Sequence, residues 1–108
     1  MPFEPLAFPF ERDGFRHEFV EREGGVCLVR RLNLRITPTP SVHWEVVILQ
    51  RRRAEVVPRG VAYPAREVYP GTEEWGEHGW TFLDVAAARA KMAELCARLR
   101  HTRARGTG

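Results

Sequence analysis

The chain has 108 residues and a formal charge of +3 at pH 7, and this length suits one domain with a hydrophobic core of its own. It has no apolar run long enough to cross a membrane, and its proline-broken N-terminus does not resemble a signal peptide. Its two cysteines, Cys27 and Cys96, lack metal-ligand spacing. We therefore expect reduced thiols in a cytoplasmic protein, with a single disulfide as the alternative.

An antiparallel hairpin is the clearest element of the N-terminal half. Residues 1–14 hold three prolines and are expected to form an extended arm rather than a helix. Gly24-Gly25 then separates two alternating runs and predicts a two-residue turn, in a hairpin over about 14–36. Counting outward from this turn places Phe19 opposite Arg30 and gives the hairpin one apolar and one mostly polar face.

Further strands are predicted between this hairpin and the C-terminal helix. Prolines mark residues 37–41 as a loop, and the apolar run within residues 42–50 predicts a third strand inside the sheet. A short edge strand over residues 55–57 precedes a turn at Pro58-Arg59-Gly60. A brief strand over residues 80–82 leads into the helix.

An amphipathic helix is predicted over about 83–100, because apolar residues recur there every three or four positions. Those positions are Val85, Ala88, Met92, Leu95, Cys96 and Leu99. Either Thr81 or Asp84 is suited to cap its first turn. The fold class is therefore α+β: an antiparallel sheet of three to five strands with the helix packed on one face. We expect a single domain over residues 15–100 and a flexible basic tail over residues 101–108.

Two tryptophans flank a glycine-containing spacer in Trp75-Gly76-Glu77-His78-Gly79-Trp80. Gly76 and Gly79 permit a positive φ or the close approach of other groups, so the chain can reverse there and place both rings against the same core. Thr72–Trp75 is suited to one capped helical turn. We expect both rings to be core residues, with Trp80 the more buried; an exposed pair that stacks on a ligand is the alternative.

The candidate binding residues lie in the same segment. His78 has carboxylates close to it in sequence, and such a histidine can serve as a general base or a metal ligand. No serine or cysteine accompanies it as a nucleophile, so Trp75, His78, Glu73 and Glu74 are predicted to bind rather than to catalyse. His17, on the apolar face of the hairpin, is expected at the edge of the core. The histidines lack metal-ligand spacing and cofactor motifs are absent from the sequence, so neither a metal nor a cofactor is predicted.

Basic residues concentrate in two places, and nucleic-acid binding requires positive charge of this kind along a surface. The candidate contacts are Arg51, Arg52, Arg53, Arg98, Arg100, Arg103 and Arg105. Against this interpretation, the polar face predicted for the hairpin carries no aromatic residue of the type that stacks on RNA bases.

A family resemblance rests on the motif Y-P-x-x-x-x-W-G-x-x-G-W-T-F, which runs from Tyr69 to Phe82. Over roughly residues 42–96 the chain resembles small proteins of bacteria, their phages and mobile elements. That family has no assigned activity, so the resemblance implies a prokaryotic, mobile-element-associated protein and carries over no catalytic residue.

The sequence favours a small non-enzymatic interaction module that binds a protein partner or associates with itself, because catalytic constellations and cofactor cradles are absent from it. A nucleic-acid-binding accessory protein that uses the arginine clusters is the alternative. An enzyme centred on His78 and the nearby glutamates is the third interpretation.

Overall fold

The computed structural model describes residues 3–35, 41–56, 58–60 and 62–106, and the last five of these by their main chain only. The described residues form nine strands, one 3-10 turn and one α-helix. The strands are β1 (Phe10–Arg12), β2 (Phe15–Glu23), β3 (Val26–Asn33), β4 (Val42–Ile48), β5 (Gln50–Arg52), β6 (Glu55–Val56), β7 (Ala62–Tyr63), β8 (Arg66–Val68) and β9 (Gly79–Phe82). The 3-10 turn is Thr72–Glu74, and the helix α1 is Val85–Gly106.

Five of these strands form one antiparallel sheet in the order β1-β2-β3-β4-β9, and α1 packs against β3, β4 and β9. The α+β prediction is therefore confirmed. β4 lies inside the sheet as expected from its apolar run. Among the described residues, α1 included, no helix is both long and apolar enough to span a membrane.

The helix-side core lies between α1 and one face of the sheet. Its buried residues are Val26, Leu28, Val46, Ala88, Met92, Leu95 and Cys96. Asp84 is the residue that caps the helix, because its Oδ1 accepts a hydrogen bond from the N–H of Ala86 at 3.1 Å. Leu99, predicted to face inward, is 38% exposed, and α1 continues six residues beyond its predicted end to Gly106.

A second core covers the opposite face of the sheet, so the expectation of one mostly polar face is wrong. Its buried residues are Cys27, Val29, Val47 and Leu49, with Leu6, Phe8, Tyr69 and Trp75 packed over them. Trp80 packs on the helix-side core instead, and both indoles are partly buried. The two rings therefore do not share one core as expected. Cys27 and Cys96 are both buried free thiols and belong to different cores.

A β-bulge at Val20 changes the register of the first hairpin. The pairs next to the Gly24-Gly25 turn follow the prediction, but beyond Val20 each residue is shifted by one, and Phe19 lies opposite Val29 rather than Arg30. Because side chains alternate between faces, this shift brings Phe15, His17 and Phe19 to the side of the second core. Val20 itself packs against the helix-side core.

The N-terminal segment is built into the fold rather than only draped across it. Asp13 and Gly14 both have positive φ, 54° and 82°, and form the two-residue turn between β1 and β2. Nearer the terminus, main-chain hydrogen bonds join Glu4 to Ala65 and Glu67 at 2.9 and 2.8 Å. The carboxylate of Glu67 accepts two hydrogen bonds from Arg22, which lowers its pKa.

Candidate functional site

A cavity of about 370 Å³ opens on the sheet face that carries the second core. Its lining comes from the β1–β2 region, β3, β4 and the segment that follows β8: Arg12, Asp13, Phe15, His17, Arg31, Glu45, Tyr69, Thr72 and Trp75. The volume lies in the range in which proteins bind small molecules. We refer to it as the Tyr69 cavity.

Glu45 forms the polar floor of the Tyr69 cavity and is 2% exposed. Its Oε1 accepts a hydrogen bond from the hydroxyl of Tyr69 at 2.6 Å, and its Oε2 accepts one from Nη1 of Arg31 at 2.9 Å. A buried carboxylate is tolerated when it is paired and hydrogen-bonded in this way. Burial, followed by the neighbouring carboxylate of Glu45, raises the pKa of Tyr69, so the phenol stays protonated.

His17 lies beside this carboxylate and is 6% exposed. Its Nε2 is 3.6 Å from Oε1 of Glu45, and its ring stacks on Phe10 with a centroid separation of 4.5 Å. Burial lowers the pKa of His17, and the attraction of Glu45 opposes that effect without overcoming it. The imidazole is therefore neutral near pH 7. Among the described residues, neither Nδ1 of His17 nor Nε of Arg31 has a hydrogen-bond partner.

Aromatic rings form the walls of the cavity. The guanidinium of Arg31 lies 4.4 Å from the ring centre of Phe15, and the rings of Tyr69 and Trp75 are 6.4 Å apart. Trp75 can occupy this position because residue 79 is a glycine: a Cβ there would lie 2.5 Å from the indole. The other glycine of the spacer, Gly76, has a φ of 91°, a main-chain conformation that residues with a Cβ rarely adopt.

Both carboxylates of the cavity lining have basic neighbours: Glu45 is engaged by Arg31 and Tyr69, and Asp13 lies 3.7 Å from Arg12. Within the described residues, the lining contains the hydroxyl of Thr72 and no serine or cysteine. Burial raises the pKa of Cys27 and of Cys96 to about 11, so neither is a thiolate near pH 7. The described residues also include no cluster of three or more His, Cys, Asp or Glu that could hold a metal ion.

One of the four binding residues predicted from the sequence lines the Tyr69 cavity. Trp75 lines the Tyr69 cavity, whereas Glu73, Glu74 and His78 are not part of its lining. Glu73 and Glu74 lie in the 3-10 turn, as the sequence indicated. His78 is partly buried, with its Nδ1 3.8 Å from Oε2 of Glu74, and its carbonyl accepts a hydrogen bond from the N–H of Ile48.

A basic ribbon, residues 50–68, is the second candidate surface. β5 pairs with β8, and β6 pairs with β7. The register is the same in both pairs: it runs without a shift from Gln50 opposite Val68 to Val56 opposite Ala62. The two pairs are therefore successive parts of one hairpin, with Pro58-Arg59-Gly60 at its tip. Residues 51–56, 58–60 and 62–64 are all exposed, so this end of the ribbon lies outside both cores.

The net charge of the protein resides in this ribbon. Residues 50–68 contain five arginines and two glutamates, which leaves twelve basic and twelve acidic residues in the rest of the chain. Both glutamates of the ribbon are paired, Glu55 with Arg66 at 3.2 Å and Glu67 with Arg22. Within the described residues, the exposed Arg52, Arg53 and Arg59 form no ion pair. The guanidinium carbon of Arg51 lies 5.3 Å from the ring centre of Phe3.

The arginines of α1 are placed differently. Arg98 pairs with Glu94 at 3.0 Å, and Arg100 pairs with Glu23 at 2.8 Å. Their charges are thus locally balanced, unlike those of the ribbon. Arg103 and Arg105, also proposed as nucleic-acid contacts, have side chains outside the described part of the structure.

Reasoning from the sequence missed most of the Tyr69 cavity, although one signal was available. Glu45 is the one carboxylate of β4 and directly precedes the apolar residues 46–48, and a charge in a central strand requires a buried partner. Its partners Arg31 and Tyr69 are 14 and 24 residues away in sequence, and local spacing does not identify contacts of that range. His17 is buried, as expected, but on the side of the second core rather than on the hairpin face predicted to be apolar.

Comparison with models of protein families, with curated proteins and with solved structures finds no match for this chain. The resemblance of residues 42–96 to proteins of bacteria, phages and mobile elements therefore stays an expectation.

Proposed function

We propose that the protein is a non-enzymatic binding module that engages duplex nucleic acid through the basic ribbon. The observation that carries this proposal is the charge distribution: the ribbon holds the whole net charge of +3, and the remainder of the chain is neutral. Phosphate backbones attract such a surface regardless of sequence, with an affinity that depends on salt.

The shape of the ribbon supports a groove as its binding site. The two arms of the ribbon, residues 50–56 and 62–68, have seven residues each. At about 3.3 Å per residue, each arm is roughly 20 Å long. The major groove of B-DNA, about 12 Å wide, admits a two-stranded β-ribbon. The unpaired guanidiniums of Arg52, Arg53 and Arg59 are then available for phosphates and for the acceptor atoms of guanine.

The test is fluorescence anisotropy of a labelled duplex over a salt series. The wild-type protein is expected to bind at low salt, with an affinity that falls steeply as salt rises. Replacing Arg52, Arg53 and Arg59 together by Gln should weaken binding and reduce the slope of log K against log salt by about three, since each phosphate contact contributes about 0.9. All three side chains are exposed, so the variant should retain the wild-type fold.

The matched control removes the same charge from α1. Arg89, Arg98 and Arg100 are exposed, and each pairs with a glutamate, at 2.6, 3.0 and 2.8 Å. Their joint replacement by Gln should leave the salt slope nearly unchanged. Equal weakening by the two triple variants would contradict the assignment to the ribbon, because it would show that binding depends only on the net charge of the protein. Absence of binding at low salt would reject the proposal altogether.

A protein partner or self-association is the second candidate function, and the edge of the sheet favours it. β9 is the end strand of the five-stranded sheet, and Leu83, directly after it, is 80% exposed. An end strand offers main-chain groups for pairing with another chain. Light scattering over a concentration series should then reveal dimers that Leu83→Lys weakens; a monomer at every concentration would remove self-association.

A further inference from the structure

The Tyr69 cavity lies on the sheet and takes no part in the binding proposed for the ribbon. We propose that this cavity binds a planar, uncharged heterocycle of the nucleobase type. The inference rests on the aromatic walls, the charge balance and the polar groups at the opening of the cavity. It does not depend on the binding proposed for the ribbon.

The walls favour a flat ligand. Phe15, Tyr69 and Trp75 provide three aromatic side chains around a volume of about 370 Å³. Aromatic faces bind planar rings by stacking, and they do so with every nucleobase because each base has a π face. Residues at the opening, Arg12 and Thr72, are exposed, so the cavity is accessible from solvent.

The charge balance favours a neutral ligand. Each charged group in the lining has an opposite partner in the same lining: Arg31 with Glu45 at 2.9 Å, and Arg12 with Asp13 at 3.7 Å. His17 is neutral near pH 7 because burial lowers its pKa, and Tyr69 is neutral because burial raises its pKa. An ion entering the cavity would therefore lose hydration without meeting an uncompensated opposite charge.

Polar groups at the opening of the cavity favour a heterocycle over a plain hydrocarbon ring. The hydroxyl of Thr72 can donate and accept a hydrogen bond, and the exposed Arg12 and Asp13 add donors and acceptors to the same lining. A ligand whose edge presents both a donor and an acceptor, as nucleobases do, can pair with these groups, whereas a hydrocarbon cannot.

The experiment titrates the full chain with adenosine, guanosine, cytidine and uridine by calorimetry, with D-ribose as the control for the sugar. At least one nucleoside should bind with a Kd below about 1 mM, and ribose should not bind. Phe15→Leu should raise the Kd about tenfold, since it removes one stacking wall and keeps an apolar side chain. Absence of heat from all four nucleosides up to about 10 mM would overturn the proposal.

Phe19→Leu is the matched control, because Phe19 lies on the same strand and the same face but does not line the cavity. It should leave the Kd within about twofold of the wild-type value. Equal losses in the two variants would overturn the assignment to the cavity. Circular dichroism of both variants verifies that they are folded.

A nucleobase can come from a free nucleoside or from a base in a single strand, and a second titration distinguishes these sources. A short single-stranded oligonucleotide is titrated into the variant in which Arg52, Arg53 and Arg59 are Gln, so that the ribbon contributes little. If Phe15→Leu weakens this binding as well, the cavity accepts a base within a strand. If only nucleoside binding depends on Phe15, the ligand is a free nucleoside or base.

Discussion

The hydroxyl of Tyr69 should contribute measurably to stability, and Tyr69→Phe tests this with the smallest change available. The ring stays and keeps its contacts with His17 and Trp75, at centroid distances of 5.2 and 6.4 Å. Only the hydrogen bond of 2.6 Å to Glu45 is lost. Oε1 of that buried carboxylate is then left with His17 at 3.6 Å, a distance too long for a hydrogen bond.

The magnitude follows from the charge of the acceptor. A hydrogen bond to a charged group contributes about 1.5–3 kcal/mol, and removing one partner leaves the other desolvated. We expect Tyr69→Phe to lower the free energy of unfolding by about 2 kcal/mol, or the Tm by about 8 °C for a domain of this size. Urea denaturation at pH 7 followed by circular dichroism measures the first quantity.

Tyr63→Phe is the control, because Tyr63 is 42% exposed and should respond by less than about 0.5 kcal/mol. A double-mutant cycle with Glu45→Gln isolates the pair, and a coupling energy above about 1 kcal/mol is expected. If Tyr69→Phe costs no more than Tyr63→Phe, the buried carboxylate does not depend on this hydroxyl, and the description of the cavity floor is wrong.

Three further outcomes are expected. Burial lowers the pKa of His17, so the imidazole of the unfolded chain binds a proton more readily than that of the folded protein. The free energy of unfolding of the wild type should therefore fall as the pH drops below 6.5. His17→Phe should make this fall smaller in denaturation measured over a pH series. Gly79→Ala should cost about 1–3 kcal/mol, since its Cβ would lie 2.5 Å from the Trp75 ring, whereas Gly25→Ala, with open space around it, should cost less than about 1 kcal/mol. Trp80→Ala should cost about 3 kcal/mol by chemical denaturation and exceed Trp75→Ala; the reverse order would contradict the predicted ranking of the two rings.

Local patterns in the sequence were sufficient to predict the turns and helices whose formation depends on residues close to one another in the chain. Gly24-Gly25 correctly predicted the turn between β2 and β3, and the three-and-four spacing correctly predicted α1. The bulge at Val20 was not predicted, although the adjacent apolar residues Phe19 and Val20 interrupt the alternation there. Such an interruption does not show which face each side chain takes, because that depends on the two packed layers. Asp13-Gly14, in contrast, is a strong hairpin signal, and the strand before it, β1, was overlooked.

The candidate site was predictable only in part, for a related reason. Trp75 was identified because it stands in a distinctive local motif, and the arginines of residues 51–53 because they are consecutive. The Tyr69 cavity is assembled from strands and a loop that are distant in sequence, so its composition depends on the sheet order. The difference between the arginines of the ribbon and Arg98 depends on ion pairs, which a count of charges does not reveal.

The placement of one core on each side of the sheet has a consequence for how substitutions combine. Trp75 and Trp80 are five residues apart in sequence, yet they pack on cores that the main chain of the sheet separates. Substitutions at groups that share no packing partners usually add to within about 0.5 kcal/mol. The effects of changes to the helix-side core and to the Tyr69 cavity on stability should therefore add independently, so that the cavity lining can vary while the helix side keeps the domain folded.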